Sequence, residues 1–318
     1  MGLQLFKAFT LRMAALSLVL AAGVVALPAS AEKYASIVVD DRTGTVLHAR
    51  HADAPRHPAS LTKVMTLYML FDEIEAGRIS LDDQMTVSRK AAKQPPSKLR
   101  LRHGRYIKVS DAIDALVTKS ANDVAVVVAE HIAGTEDRFS ALMTVKARTL
   151  GMNDTLFKNA SGLHHAEQVT TARDMARLAD AIMADHPAFY AYFSTSSFKY
   201  AGRTYKNHNK LLGTVDGVDG IKTGYTRASG YNLMAAAERS DQRVITVMLG
   251  GHSSHSRNGH VEALIEAAFD ALAPTMETQD DQPVQTVAFD AILAPVHPNA
   301  AAVPMLNGKP FVVEGDEN

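Results

Sequence analysis

Strand-forming and helix-forming patterns are segregated along this chain: extended segments flank its central body and helices fill the middle. Ser36-Ile-Val-Val-Asp40 reads as a buried strand and Thr45-Val-Leu-His-Ala49 as its partner, joined by the turn Asp41-Arg-Thr-Gly44. Val218 to Thr223, Tyr231 to Ala237 and Arg243 to Leu249 read as three further strands, with turn residues between them. In the middle, Val64, Leu67, Tyr68, Phe71 and Ile74 recur at helical spacing and predict a helix from Ser60 to about Ala76, stopped at Gly77. Helices are also expected over Ser110 to Val117, Ala121 to Ile132, Asp137 to Thr149 and Thr171 to Met183, with Gly259 to Leu272 closing the body. The simplest assembly is an α/β (α+β) domain. One antiparallel sheet is built from both ends of the chain, with flanking helices and an inserted helical lobe. A cleft between sheet and lobe is the expected site.

The termini read differently. Lys7 and Arg12 precede an apolar run from Met13 to Leu27 and a small-residue site, Ala29-Ser30-Ala31. This is the pattern of a secretory signal peptide over residues 1–31, with an exported mature chain from Glu32. The run is short for a membrane span of ~20 residues. Residues 276–318 hold seven acids against Lys309 and are rich in Pro and Ala, so a poorly ordered acidic tail is expected. They show no basic amphipathic pattern that would lay them on a membrane. The whole chain has a formal charge of −1, so residues 32–275 are left mildly basic. That suits an anionic small substrate and argues against nucleic acid. The chain has no cysteine, which removes thiol chemistry and cysteine-ligated metal.

Three short motifs occur in one order: Ser60-Leu-Thr-Lys63, Ser120-Ala-Asn122 and Lys222-Thr-Gly224. Ser60 and Lys63, three apart at a helix start, share one helix face. A hydroxyl is a weak nucleophile until a neighbouring base takes its proton. A lysine serves as that base only if its ordinary pKa of ~10.4 is depressed by burial or a second cation, and Lys222 is the candidate cation. Ser120 is placed to relay a proton to a leaving amine, with Asn122 as a hydrogen-bonding partner of substrate or Lys63. Lys222, Thr223 and Gly224 stand on an expected strand, where an extended peptide can pair. The backbone N–H of Tyr225 would join that of Ser60 as an oxyanion hole.

Each motif has a plain structural reading. Serine before an apolar helix is commonly an N-cap, and Ser120 with Asp123 resembles a capping box. Ser-x-x-Lys recurs at Ser196-Ser-Phe-Lys199, away from any helix start, and Ser-x-Asn recurs at Ser256-Arg-Asn258. The histidines His164, His165, His252, His255 and His260 carry no metal-ligand spacing, so neither metal nor another cofactor is expected.

Taken together, the three motifs are the signature shared by penicillin-binding proteins and class A β-lactamases. From Tyr34 to Ala273 the chain resembles the serine D-alanyl-D-alanine carboxypeptidases, the low-molecular-mass penicillin-binding proteins. The likeness includes Arg56-His-Pro-Ala-Ser60, Gly151-Met-Asn-Asp-Thr155 to Gly162-Leu163, Thr170-Thr-Ala-Arg-Asp-Met-Ala176, Asn209-Lys-Leu-Leu212 and Gly230-Tyr-Asn-Leu233. The resemblance implies Ser60 as acyl-enzyme nucleophile, Lys63 as base and Ser120 with Asn122 as second element. It further implies Lys222, Thr223 and Arg257 as substrate-binding residues. It implies peptidoglycan stem peptides as substrate and β-lactams as covalent inhibitors. Tyr225 stands where some members carry histidine. A class A β-lactamase would need a deacylating glutamate in a Glu-x-x-Leu-Asn stretch, which is absent between the second and third motifs. Endopeptidase action on cross-links would use the same machinery. A wall-binding module that had lost activity would not need all three motifs.

Overall fold

The computed structural model describes residues 33–273. The expected signal peptide and acidic tail lie outside them. The first hairpin pairs β1 (Ala35–Asp40) with β2 (Val46–Arg50). Its turn is fastened by the Asp40 carboxylate, which accepts from Thr43 Oγ1 at 2.6 Å and Arg42 N at 3.1 Å. A 3₁₀ turn, Ala59–Leu61, leads into α1 (Thr62–Glu75). Every residue of α1 from Thr62 to Phe71 is buried, so the helix is enclosed around its circumference and runs through the core.

The lobe continues with β3 (Gln84–Thr86), α2 (Arg89–Ala92), β4 (Tyr106–Lys108) and α3 (Val109–Asp114). A π turn, Ala115–Lys119, separates α3 from α4 (Asn122–Ala133). Then come α5 (Glu136–Thr149), α6 (Ala172–Asp185) and α7 (Pro187–Tyr190). Thr135 and Thr171 cap α5 and α6 by accepting from the backbone of Arg138 and Asp174. After a ribbon of β5 (Ser197–Tyr200) and β6 (Arg203–Lys206), the chain re-enters the main sheet. It does so through β7 (Val218–Thr226), β8 (Gly230–Arg239) and β9 (Gln242–Gly251), and ends in α8 (Ser254–Leu272).

The five-stranded sheet has the order β2-β1-β9-β8-β7, with every pairing antiparallel. Ile37 of β1 faces Val247 of β9, so the sheet is closed by strands from opposite ends of the body, as the strand distribution required. Alternation sorts its side chains by face. Val38, Leu233, Ala235 and Val244 pack with Val261, Leu264 and Ile265 of α8. Ile37, Met234, Ala236, Ile245 and Val247 belong to the larger core shared with the lobe. Burying one such aliphatic side chain stabilises by about 1.5–3 kcal/mol, so two faces of this size hold the sheet between its layers.

The structure adjusts several boundaries. β7 runs to Thr226, past the expected end at Thr223. α8 begins five residues before Gly259, because Ser253 and Ser256 form a reciprocal capping box. The second Ser-x-x-Lys falls at β5, where residues three apart point to opposite faces. The ribbons β3–β4 and β5–β6 carry no strong alternation and were not expected.

Candidate active site

Ser60 sits in a turn held from two directions. Ala59 adopts a left-handed backbone, φ 48°, and Leu61 N donates to Pro58 O at 3.2 Å. A Cβ on Gly162 would lie 1.8 Å from Ala59 O, and one on Gly224 would lie 3.0 Å from Ser60 N. Gly162 leaves no room for a side chain there, and Gly224 packs tightly against the same turn. Asn232 of β8 completes the clamp: its Nδ2 donates to His57 O at 3.0 Å and Pro58 O at 3.1 Å, while its Oδ1 accepts from Gly250 N. Ser60 caps no helix with its side chain, which leaves the hydroxyl for the cavity.

Lys63 is fully buried at the second position of α1, one turn after Ser60. Its Nζ lies 3.1 Å from Ser60 Oγ, 2.8 Å from Asn122 Oδ1 and 2.5 Å from Ser161 O. A neutral amine has two N–H donors and one lone pair. Asn122 Oδ1 and Ser161 O take the donors, and the lone pair is left for the Ser60 hydroxyl. Burial is the main influence pushing this amine well below the ordinary lysine pKa, and the Lys222 charge adds to it against the opposing pull of Asp123. The Ser161 carbonyl has no side-chain signature, so sequence reading missed it.

Ser120 is buried with a left-handed backbone, φ 56°, and its Oγ has no hydrogen-bond partner among the described residues. α4 starts without a side-chain cap, so the capping-box reading of Ser120 and Asp123 is excluded. Asp123 instead accepts from Leu99 N and Leu101 N, both at 3.0 Å. Asn122 ties the lobe together further: its Nδ2 donates to Pro95 O at 3.0 Å and its backbone N–H to Ser97 O at 2.7 Å.

The opposite wall is β7. Thr223, Gly224 and Tyr225 line the cavity with Ser60, Ser120, Asn122 and Arg257. Its volume is about 340 Å³. Lys63 and Lys222 stand behind the wall and do not line it. Lys222 Nζ donates to Thr223 O at 3.0 Å, and burial, then the Arg257 charge, lower its pKa to about 7. Thr223 and Arg257 thus present polar groups to the cavity, whereas Lys222 is buried beside Thr223. Arg257 donates through Nη1 to Asn232 O at 3.0 Å, and burial brings its pKa down to about 10. Tyr225 is half exposed, with its ring 4.3 Å from that of Tyr231.

His208, Ser97 and Ser254 also line the cavity and were not singled out from sequence. No aspartate or glutamate is among the lining residues. Among the described residues, no group of three or more His, Asp and Glu is placed to hold a metal ion. His164 and His165 are exposed.

Comparison with known proteins identifies the family and the fold. Residues 23–253 match the family described as D-alanyl-D-alanine carboxypeptidase; Arg257 lies just beyond the match. The chain is 36% identical over 247 residues to D-alanyl-D-alanine carboxypeptidase DacC of Escherichia coli, covering 76% of this chain and 62% of the relative. It is 37% identical over 273 residues to DacD of Salmonella typhimurium, covering 83% and 70%. Penicillin binding protein 5 from Haemophilus influenzae superposes with a TM-score of 0.72 at 32% identity, over 74% of this chain and 70% of that one. Penicillin-Binding Protein D2 from Listeria monocytogenes, solved in an ampicillin-bound form, superposes with a TM-score of 0.65 at 30% identity, over 74% and 96%. The match thus spans 62% and 70% of the lengths of those two curated carboxypeptidases. By its matched length and its fold, the chain belongs to the D-alanyl-D-alanine carboxypeptidase family.

Proposed function

We propose that this protein is an exported serine D-alanyl-D-alanine carboxypeptidase that removes the terminal D-alanine from peptidoglycan stem peptides and is acylated by β-lactams. The observation that carries this reading is the convergence of Ser60 Oγ, Asn122 Oδ1 and Ser161 O on the buried amine of Lys63.

In this reaction Lys63 Nζ takes the Ser60 proton as Oγ bonds to the carbonyl carbon of the penultimate D-alanine. The backbone N–H groups of Ser60 and Tyr225 stabilise the oxyanion, each being worth roughly 2.7–4 kcal/mol in the transition state. The proton then passes by way of the unpartnered Ser120 hydroxyl to the leaving nitrogen, and the C–N bond breaks. Terminal D-alanine departs, its carboxylate released from Thr223 and Arg257. Water attacks the acyl-enzyme, its proton returns through the same groups, and Ser60 Oγ regains its hydrogen. A penicillin enters the first half-reaction. The lack of a carboxylate in the cavity wall removes the usual base for fast deacylation, which favours a stable adduct over β-lactamase turnover.

The test is D-alanine release from a synthetic pentapeptide ending in D-Ala-D-Ala. Release by the native protein and its loss in Ser60→Ala support the reading; a native protein that releases none overturns it. Secretion is tested by the N-terminal residue of the mature protein, expected to be Glu32. Among the described residues, no helix is long and apolar enough to cross a membrane.

A further inference from the structure

A second cavity, of about 480 Å³, adjoins the first and shares Pro96 and Ser97 with it. Its remaining lining is Lys98, Arg100, Lys119, Arg203 and Tyr205, four cations and no acid. Among the described residues, none of the four is paired with a carboxylate, whereas Arg78, Arg173 and Arg239 on other surfaces are.

The groove is built rather than incidental. Arg100 has a left-handed backbone, φ 67°, held between Leu99 and Leu101, whose amides both donate to the buried Asp123 carboxylate. Leu99 and Leu101 are buried, so the exposed Arg100 side chain is the one presented to the groove. Lys119 lies with its Nζ 5.7 Å from the centre of the Tyr205 ring. Arg203 stands two residues away on the same face of β6. Ser97 Oγ donates to Lys119 O at 2.8 Å, fastening one wall to the other directly beside Ser120.

We propose that this groove is a subsite for carboxylates on the substrate peptide upstream of the scissile D-Ala-D-Ala. The inference rests on the carboxypeptidase reading and deepens it. With the terminal carboxylate at Thr223 and Arg257 and the reacting carbonyl at Ser60, the rest of the peptide must leave the cavity. The opening past Pro96 and Ser97 is lined by the lobe and by β6, and shares no residue with the Thr223–Arg257 wall. A γ-linked D-glutamyl residue carries a free α-carboxylate, and unpaired guanidinium groups bind carboxylates in a two-pronged fashion.

The experiment compares two substrates that differ in one group: L-Ala-γ-D-Glu-(Nε-acetyl)-L-Lys-D-Ala-D-Ala, and the same peptide with the glutamyl α-carboxylate converted to amide. The native protein is expected to favour the carboxylate peptide in kcat/KM by about fivefold at low salt, the scale of exposed ion pairs. That preference should fade at 0.5 M salt, where the Debye length falls to a few ångströms. R100Q/R203Q should lose the preference while Ser60 still acylates with benzylpenicillin, which reports an intact fold. A native preference near one, or a preference that survives in R100Q/R203Q, overturns the subsite although D-alanine is still released. Release from neither peptide would instead overturn the carboxypeptidase reading and the subsite with it.

Discussion

Lys63 Nζ lies 3.1 Å from Ser60 Oγ while fully enclosed by protein, so the base that the proposed chemistry needs is held where its charged form is least stable. Burial first, and then the Lys222 charge, produce this state, and three features hold the amine in position. The helix start sets the pair on one face. α4 supplies Asn122 Oδ1, and the segment before Gly162 supplies the Ser161 carbonyl. The proposed nucleophile and base thus come from one short segment, the 3₁₀ turn and the start of α1, and the groups around them come from two distant parts of the chain.

Replacing Lys63 tests that environment. Lys63→Met should slow benzylpenicillin acylation by about 10²–10⁴-fold, the usual scale of a lost general base. Lys63→Arg should fare no better, because a guanidinium stays protonated. Stopped-flow acylation alongside far-UV circular dichroism checks this. A Lys63→Arg protein that acylates at the native rate would count against proton removal by Lys63.

The pH profile should have a distinct origin on each side. On the acid side kcat/KM should fall as Lys63 gains a proton, at a pH well below the ordinary lysine value. On the alkaline side, Lys222 in the free protein loses its charge above about pH 7 and Arg257 above about pH 10. KM for a carboxylate-ended peptide should therefore rise in the first of these windows and again in the second. In Lys222→Met the first rise should vanish; its persistence would assign it to another group.

Lys222 also makes a stability prediction with a definite sign. Its folded pKa is lowered from 10.5 to about 7, so between these values the unfolded chain binds more protons and stability rises with pH. Lys222→Met removes a buried ammonium. From a shift of about 3.5 pKa units at 1.36 kcal/mol each, it should stabilise the fold by up to roughly 5 kcal/mol at pH 6, and by less at pH 10. Acylation should fall in the same variant. Urea denaturation at the two pH values measures this, and a larger gain at pH 10 would contradict it.

Gly162→Ala probes the clamp on the nucleophile. The new methyl would meet the Ala59 carbonyl oxygen at 1.8 Å, at a residue whose φ is +79°. Displacing the Ser60 turn should cost about 1–3 kcal/mol of stability and lower acylation more than tenfold. Acylation and melting at native values would show that the turn tolerates movement.

Much of this was legible in the residues. Alternation in β1 and β7 to β9 placed the sheet, and continuous apolar spacing placed α1 and α4, because both patterns report burial directly. The motif residues were legible because side-chain chemistry at fixed spacing leaves a mark. What escaped was carried by backbone or by distant contact. The Ser161 carbonyl could be any residue's, and Asp123 read as a cap until Leu99 and Leu101 appeared beside it. His208 and Ser97 reach the cavity through loops whose paths no local pattern encodes. Lys222 reads as a substrate contact by its motif, and its burial beside the Thr223 carbonyl is legible only in the fold.

The most direct test of the central claim is an NMR titration of the Lys63 side chain in the full-length protein, assigned by comparison with Lys63→Met. The account predicts that Lys63 gives up its proton far below 10.5, and that the titration moves back toward that value when Asn122 is replaced by Asp. A Lys63 that titrates at the ordinary lysine value would contradict it.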